Sequence, residues 1–276
     1  MIYFNIKKNI YDIIYFYGIR KIKLSKRCFP QFVIIGAQKG GTTSLFNYLL
    51  SNKRIKRPLK KEVHYFSEHY KKGNDWYKMH FPIIRDQSIT FEASTSYIFD
   101  PHAAKRMHTL LPDVKIIVLL RDPIDRAFSH YYHEVKNSRE KSKTFEKAIE
   151  LEEKRTKKSF EKMINDPNYY DENVHIFSYL KKGIYVEQLQ RWYDHFDRQN
   201  ILIIDSGNFF KQPERELEKI AFFLNIENRF DFKPLVYNKS NIAKIMNQDT
   251  HSYLKKFYAP YNEELFRLIG EEFNWK

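Results

Sequence analysis

With 276 residues, the chain has room for one large α/β domain or two small ones. Its 20 Tyr and 23 Phe allow a sizeable core, and 48 Lys and Arg against 34 Asp and Glu give a net charge of +14, a surplus that favours nucleic acid, acidic lipid, acidic glycan or a nucleotide as partner. The single cysteine, Cys28, excludes an intrachain disulfide and a cysteine-rich zinc site, and agrees with a reducing compartment.

Residues 1–30 read as a basic, aromatic arm and residues 31–276 as one domain. Met1–Tyr17 is rich in Ile, Tyr and Phe, but Lys7, Lys8 and Asp12 interrupt it. It falls short of the ~18 uninterrupted apolar residues of a membrane span, and no small-residue cleavage site follows. Peripheral contact with an anionic membrane surface suits the composition, although a helix packed on the domain or a frayed terminus is the preferred reading.

Phe32–Ile35 then reads as a buried strand. It runs into Gly36-Ala37-Gln38-Lys39-Gly40-Gly41, followed by Thr42, Thr43 and Ser44 at the start of a helix over Thr43–Leu50. Glycines let backbone N–H groups turn inward, and a helix N-terminus adds positive potential, so the segment is a cradle for phosphate or sulfate. It nearly matches the nucleotide P-loop, but Thr42 stands where that loop's lysine belongs and the lysine sits inside the turn, at Lys39. The Mg²⁺-binding reading weakens accordingly.

The basic run Lys53–Lys61 leads to Glu62-Val63-His64-Tyr65-Phe66. Glu62 is a candidate base for an acceptor hydroxyl or amine. It would share a face with His64 if the segment is extended. A surface ion pair is the plainer alternative, and the run itself also resembles a nucleic-acid patch, although without interleaved aromatics.

Further strands are expected at Ile89–Phe91, Lys115–Leu120 and Ile201–Ile204, and further helices at Pro101–Leu111, Pro123–Val135, Phe177–Phe196 and Gln212–Leu224. Short apolar runs alternating with helices predict an α/β fold, a central parallel sheet flanked by helices, with ligands beyond the strands' C-terminal ends. Arg121 falls at such an end. Asp122 and Pro123 suit the cap and first position of the next helix, and Ser129 lies about two turns along it. Arg121 is then free for a phosphate, or paired with Asp122 or Asp125. His130 and His133 are one turn apart but lack a third ligand, so both are read as surface histidines and no metal is expected. Glu134–Lys162 is read as one or two solvated helices over the sheet, and Asn165–Asn173 as a surface loop.

Taken in order, these motifs resemble the sulfotransferases that use 3′-phosphoadenosine 5′-phosphosulfate (PAPS), in particular the branch of heparan sulfate sulfotransferases and their bacterial relatives. The resemblance spans about Phe32 to Trp275. Ile34–Leu45 looks like the 5′-phosphosulfate loop, which implies donor contacts from Lys39, Gly40, Gly41, Thr42, Thr43 and Ser44. Lys61–Phe66, with Gly73 and Trp76-Tyr77, resembles the segment carrying the catalytic glutamate, which implies Glu62 as base with His64 beside it. Arg121-Asp122-Pro123 through Ser129 resembles the 3′-phosphate motif. Gly183-Ile184-Tyr185 with Gln188, Leu189 and Trp192 fits the next helix, placing Tyr185 among the donor-binding residues. Tyr258–Asn262 through Trp275 resembles the C-terminal end.

The resemblance implies a P-loop-like sulfotransferase fold, PAPS as donor, no metal and no nucleic-acid partner. It implies a saccharide or glycan acceptor, anionic or lipid-linked. Family members in the animal Golgi carry an anchor and disulfides that are not seen here, so the expected setting is cytoplasmic, at most peripheral to the inner face of a membrane. Ala93 stands where heparan-type enzymes often carry lysine. A P-loop kinase with Asp205 as its second carboxylate and a basic nucleic-acid-binding protein are the rival readings.

Overall fold

The computed structural model describes Gly18 and residues 20–84, 86–232 and 246–275. The membrane-surface reading of Met1–Tyr17 falls outside the described residues. The segment that follows is docked on the domain: Arg20 and Arg27 both donate to the carbonyl of Phe81, at 2.8 and 2.7 Å.

Five parallel strands, β1 (Phe32–Gly36), β2 (Ile55–Lys56), β3 (Ile89–Ala93), β4 (Lys115–Leu120) and β5 (Ile201–Asp205), lie in the order β2-β3-β1-β4-β5. Phe32 stands opposite both Phe91 and Lys115. The chain builds the β3–β2 side first and then returns to the other side of β1 with β4. Strand order therefore reverses beside β1, where the glycine turn emerges, the position at which open α/β sheets bind ligands.

Both faces of the sheet are buried, which is why its strands read as unbroken apolar runs. Phe32, Ile34, Phe91, Ala93, Ile117 and Leu119 pack under α1 (Thr42–Leu49) and two helices near the end of the chain. On the opposite face, Val33, Ile35, Ile116, Val118 and Leu120 meet the larger core. That core is covered by α2 (Gly73–Lys78), α3 (Ala103–Leu110), α4 (Pro123–Lys136), α5 (Phe145–Glu150), α6 (Glu152–Asn165), α7 (Glu172–Phe177) and α8 (Tyr185–Tyr193). On the first face the helices are α9 (Ser206–Lys211) and α10 (Pro213–Leu224), while α11 (Gln248–Ile269) closes the second.

Three expectations need correction. β2 lies inside the basic run, where a two-residue strand with one apolar side chain leaves no pattern. The segment Glu134–Lys162 holds the end of α4 and two further helices, and these are not merely solvated: Phe145, Ala148 and Phe160 belong to the core. The expected helix Phe177–Phe196 is broken between Ser178 and Ile184. There Tyr258 of α11 crosses the chain: its hydroxyl donates to the Leu180 carbonyl at 2.8 Å, and a Cβ on Gly183 would lie 2.6 Å from that hydroxyl.

Candidate active site

Loops from the C-terminal ends of all five strands converge on one cleft of about 1030 Å³. β1 supplies the glycine turn. The Gly40 N–H donates to the Ala37 carbonyl at 2.9 Å, making Gln38 and Lys39 the central residues of a tight turn. Lys39 adopts φ 70°, a position a side chain occupies only at a cost. The turn rests on β4: Ala37 N–H donates to the Leu119 carbonyl at 2.7 Å, and a Cβ on Gly40 would stand 2.7 Å from that same oxygen. Gly40→Ala should therefore destabilise the protein by ~1–3 kcal/mol, the usual cost of overpacking. A thermal unfolding midpoint unchanged from wild type would show that the turn does not sit hard on Leu119. Gly41, at φ 97°, opens α1, and a Cβ there would meet the Phe210 ring at 2.8 Å.

Lys39, Gly41, Thr42 and Thr43 line the cleft; Gly40 and Ser44 lie beneath it, the Ser44 side chain being buried. Burial, and then the neighbouring Arg121, hold the Lys39 ammonium below the usual lysine range.

The chain beyond β2 supplies Lys61, Glu62 and His64. The segment is not extended, since Glu62 and His64 both take left-handed backbone angles, φ 59° and 57°. Val63 points into the core between them, and the two flanking side chains still meet, with His64 Nε2 at 3.6 Å from Glu62 Oε2. Glu62 is held by the Thr95 N–H at 2.9 Å and by Lys61 Nζ at 2.9 Å. The same ammonium reaches Thr43 Oγ1 at 3.2 Å, so Lys61 ties the candidate base to the anion loop. Of the basic run Lys53–Lys61, Lys61 alone lines the cleft. Lys56 turns back to the Lys53 carbonyl and Arg57 lies over the Phe46 ring.

Behind this segment lies a network that sequence patterns do not show. Glu92 is fully buried and accepts from Ser94 and Tyr77 at 2.5 Å each and from Tyr97 at 2.6 Å. Burial pushes its carboxyl up to about 7 against those three hydroxyls. Ser94 also accepts the His64 N–H at 2.9 Å, and the Ala93 carbonyl accepts the Glu62 N–H at 2.9 Å. The Ala93 side chain itself belongs to the core under α1.

From β4 come Arg121 and α4. Asp122 caps α4 through the Ile124 and Asp125 N–H groups, and Pro123 takes the first position, as the sequence predicts. Arg121 donates to the Lys39 carbonyl at 3.4 Å and lies 3.5 Å from Asp125. Ser129 also faces the cleft. Tyr185 does not: buried at the start of α8, its hydroxyl donates to the Arg121 carbonyl at 2.9 Å, so it supports Arg121 from below. His133 lines the cleft, but His130 is no surface residue. It is fully buried against the Tyr179 ring, 3.4 Å from Glu134, because the helix turns that face into the core.

β5 brings Asp205 and α9. Asp205 caps α9 through the Asn208 N–H at 2.8 Å and accepts the Trp275 indole N–H at 2.9 Å. Both carboxylate oxygens thus serve structural contacts. Phe210 and Trp275 offer aromatic faces at this end of the cleft, with Lys211 and His251 beside them. The other end is walled by Glu68, Tyr170, Glu172 and His175. Among the described residues no three His, Cys, Asp or Glu side chains converge as metal ligands, and no helix is long and apolar enough to cross a membrane.

Residues 29–272 match the sulfotransferase domain family. The chain is 27% identical over 269 residues to heparan sulfate glucosamine 3-O-sulfotransferase 5 of Mus musculus, an alignment covering 89% of this chain and 74% of that protein. It is 28% identical to the membrane-associated sulfotransferase kil1 of Dictyostelium discoideum, covering 90% and 67%. Among solved structures it is similar to a sulfotransferase from Alicyclobacillus acidocaldarius, at 30% identity and a TM-score of 0.75, covering 89% of this chain and 98% of that one.

Proposed function

Because this chain belongs to the sulfotransferase domain family and is a sulfotransferase, we propose that it transfers the sulfuryl group of PAPS to a saccharide hydroxyl, with Glu62 as general base. The observation that carries the reading is Lys61, whose ammonium bonds the loop hydroxyl of Thr43 and the carboxylate of Glu62 at once. Anion cradle and base therefore meet at one point of one cleft.

Each residue then has a role. The glycine turn brings backbone to the cleft at the start of α1, which suits a 5′-phosphosulfate. Arg121 and Ser129 suit the 3′-phosphate, a contact remote from the reacting centre that fixes orientation. Phe210 and Trp275 suit the adenine ring. PAPS supplies the sulfuryl group, which moves by in-line displacement with charge spread over its oxygens. Lys39 faces the position where the leaving phosphate oxygen gains charge. Glu62 accepts the acceptor's proton, and His64 orients it.

A saccharide acceptor is supported by the glycan-modifying relative and by a cleft that stays open past Glu62 toward Tyr170 and His175. The single cysteine fits a cytoplasmic setting.

Calorimetry tests the donor. The protein should bind 3′,5′-diphosphoadenosine about 10- to 100-fold more tightly than adenosine 5′-monophosphate, since losing the partner of a charged hydrogen bond costs ~1.5–3 kcal/mol. Equal affinity for the two would remove Arg121 and Ser129 from the donor site, and tighter binding of Mg·ATP would favour a kinase. Labelled donor and host extract test the acceptor: a labelled product without sugar would refute the saccharide and leave sulfuryl transfer standing.

A further inference from the structure

The turn that carries Lys39 is strained, and the structure shows what restrains it. A non-glycine residue at φ 70° persists only where its surroundings over-determine it. One tether is Arg121, on the Lys39 carbonyl. The other comes from a part of the chain remote in sequence. Lys182, in the segment between α7 and α8, is only 7% exposed and lines the cleft. Its Nζ donates to Gln38 Oε1 at 2.8 Å and to the His175 carbonyl at 2.5 Å. An ammonium has three donors, and these contacts use two.

We propose that Lys182 is a positioning residue for sulfuryl transfer: it clamps Gln38 and so holds the Lys39 turn in the conformation that receives the donor's 5′-phosphosulfate. The inference rests on the donor reading given above. A side chain buried this deeply and spent on one loop side chain and one backbone carbonyl has little other use, and its ammonium lies 5.6 Å from the Phe99 ring centroid rather than in solvent.

The clamp is also sensitive to charge. Burial, and then Arg126, bring the Lys182 ammonium down to about 7. The groups facing it include Arg126, His130, His133 and Glu134 of α4, Arg139 beyond that helix, Glu152 of α6 and His175 of α7. Glu134 and Glu152 favour its charged form, while Arg126 and Arg139 oppose it. An anion arriving at the turn adds to the favourable side, so the bound state holds the proton more firmly than the free state. Donor binding should then take up ~0.5–1 proton near pH 7.5 and weaken as pH rises above 7.

The test uses 3′,5′-diphosphoadenosine as probe and calorimetry in buffers of different ionisation heat. Lys182→Met and Gln38→Met should each lower affinity about 10- to 100-fold. The double variant should lose little more than either single one, because both remove the same contact. Lys182→Arg, which stays charged, should recover part of the affinity and lose most of the proton uptake. Gln38→Met touches only the loop side of the contact, so it decides the matter even if Lys182→Met fails to fold. Wild-type affinity in Gln38→Met, or additive losses in the double variant, would overturn the clamp while leaving the donor reading intact. Failure of the wild-type protein to bind the probe would overturn both.

Discussion

Glu62→Gln should lower kcat by about 10²–10⁴ while folding and donor affinity stay as in wild type. The substitution keeps the shape and the Thr95 contact, since an amide oxygen accepts the same N–H, but it removes the proton acceptor. Glu62 fits the role because its carboxylate is fixed on two sides, by Thr95 and Lys61, and still faces the cleft. His64 lies in the same segment, engaged with Ser96 at 2.8 Å and Glu68 at 3.4 Å, which suits a group that orients rather than one that abstracts. Single-turnover measurements with labelled donor check this. An active Glu62→Gln protein beside an inactive His64→Ala protein would exchange the two roles.

Lys39→Ala should cut kcat by about 10²–10³, the usual loss when one donor to a developing oxyanion is removed, and should change donor affinity far less. The argument is one of timing. In the proposed donor site, ground-state charge would be shared among the turn amides, Lys61 and Arg121. The bridging oxygen gains charge only as the sulfuryl group departs, and an interaction strongest at that moment raises kcat rather than affinity. Burial makes the ammonium's charge costly in the free protein, which increases what it gains from a nearby anion. A collapse of affinity with kcat preserved would reduce Lys39 to a binding residue.

The β1 and β4 side of the cleft is legible in the sequence because its signals are local. A strand, a glycine turn and a hydroxyl-rich helix start stand consecutively between Phe32 and Leu45, and Arg121-Asp122-Pro123 announces strand end, cap and first helical residue in three positions. The contacts between distant segments are less legible. Lys61 belongs to a run of lysines and arginines, and composition cannot tell which of them turns toward Thr43 and Glu62. Lys182 reaches Gln38 across 144 positions, and Glu92 gathers hydroxyls from Tyr77, Ser94 and Tyr97. Such contacts exist only after the strands have paired. The burial of His130 is hidden for the same reason: a polar residue inside an amphipathic helix looks exposed until α4 shows which face it buries. Gly183 gave a clue to the break before α8, but Tyr258, the residue that requires it, lies 75 positions further on.

The brevity of β2 bears on how copies of this protein meet one another. It forms one margin of the sheet and is only two residues long. Arg54, Lys56, Arg57 and Pro58 crowd that margin. A stray strand approaching it would find hydrogen-bonding groups for barely one register step, a proline without an N–H, and like charge on an identical chain. Those features discourage strand addition and fibre growth. They matter most while a parallel sheet, which pairs slowly from distant segments, is still assembling. The basic run thus has a second use, keeping incompletely folded chains apart.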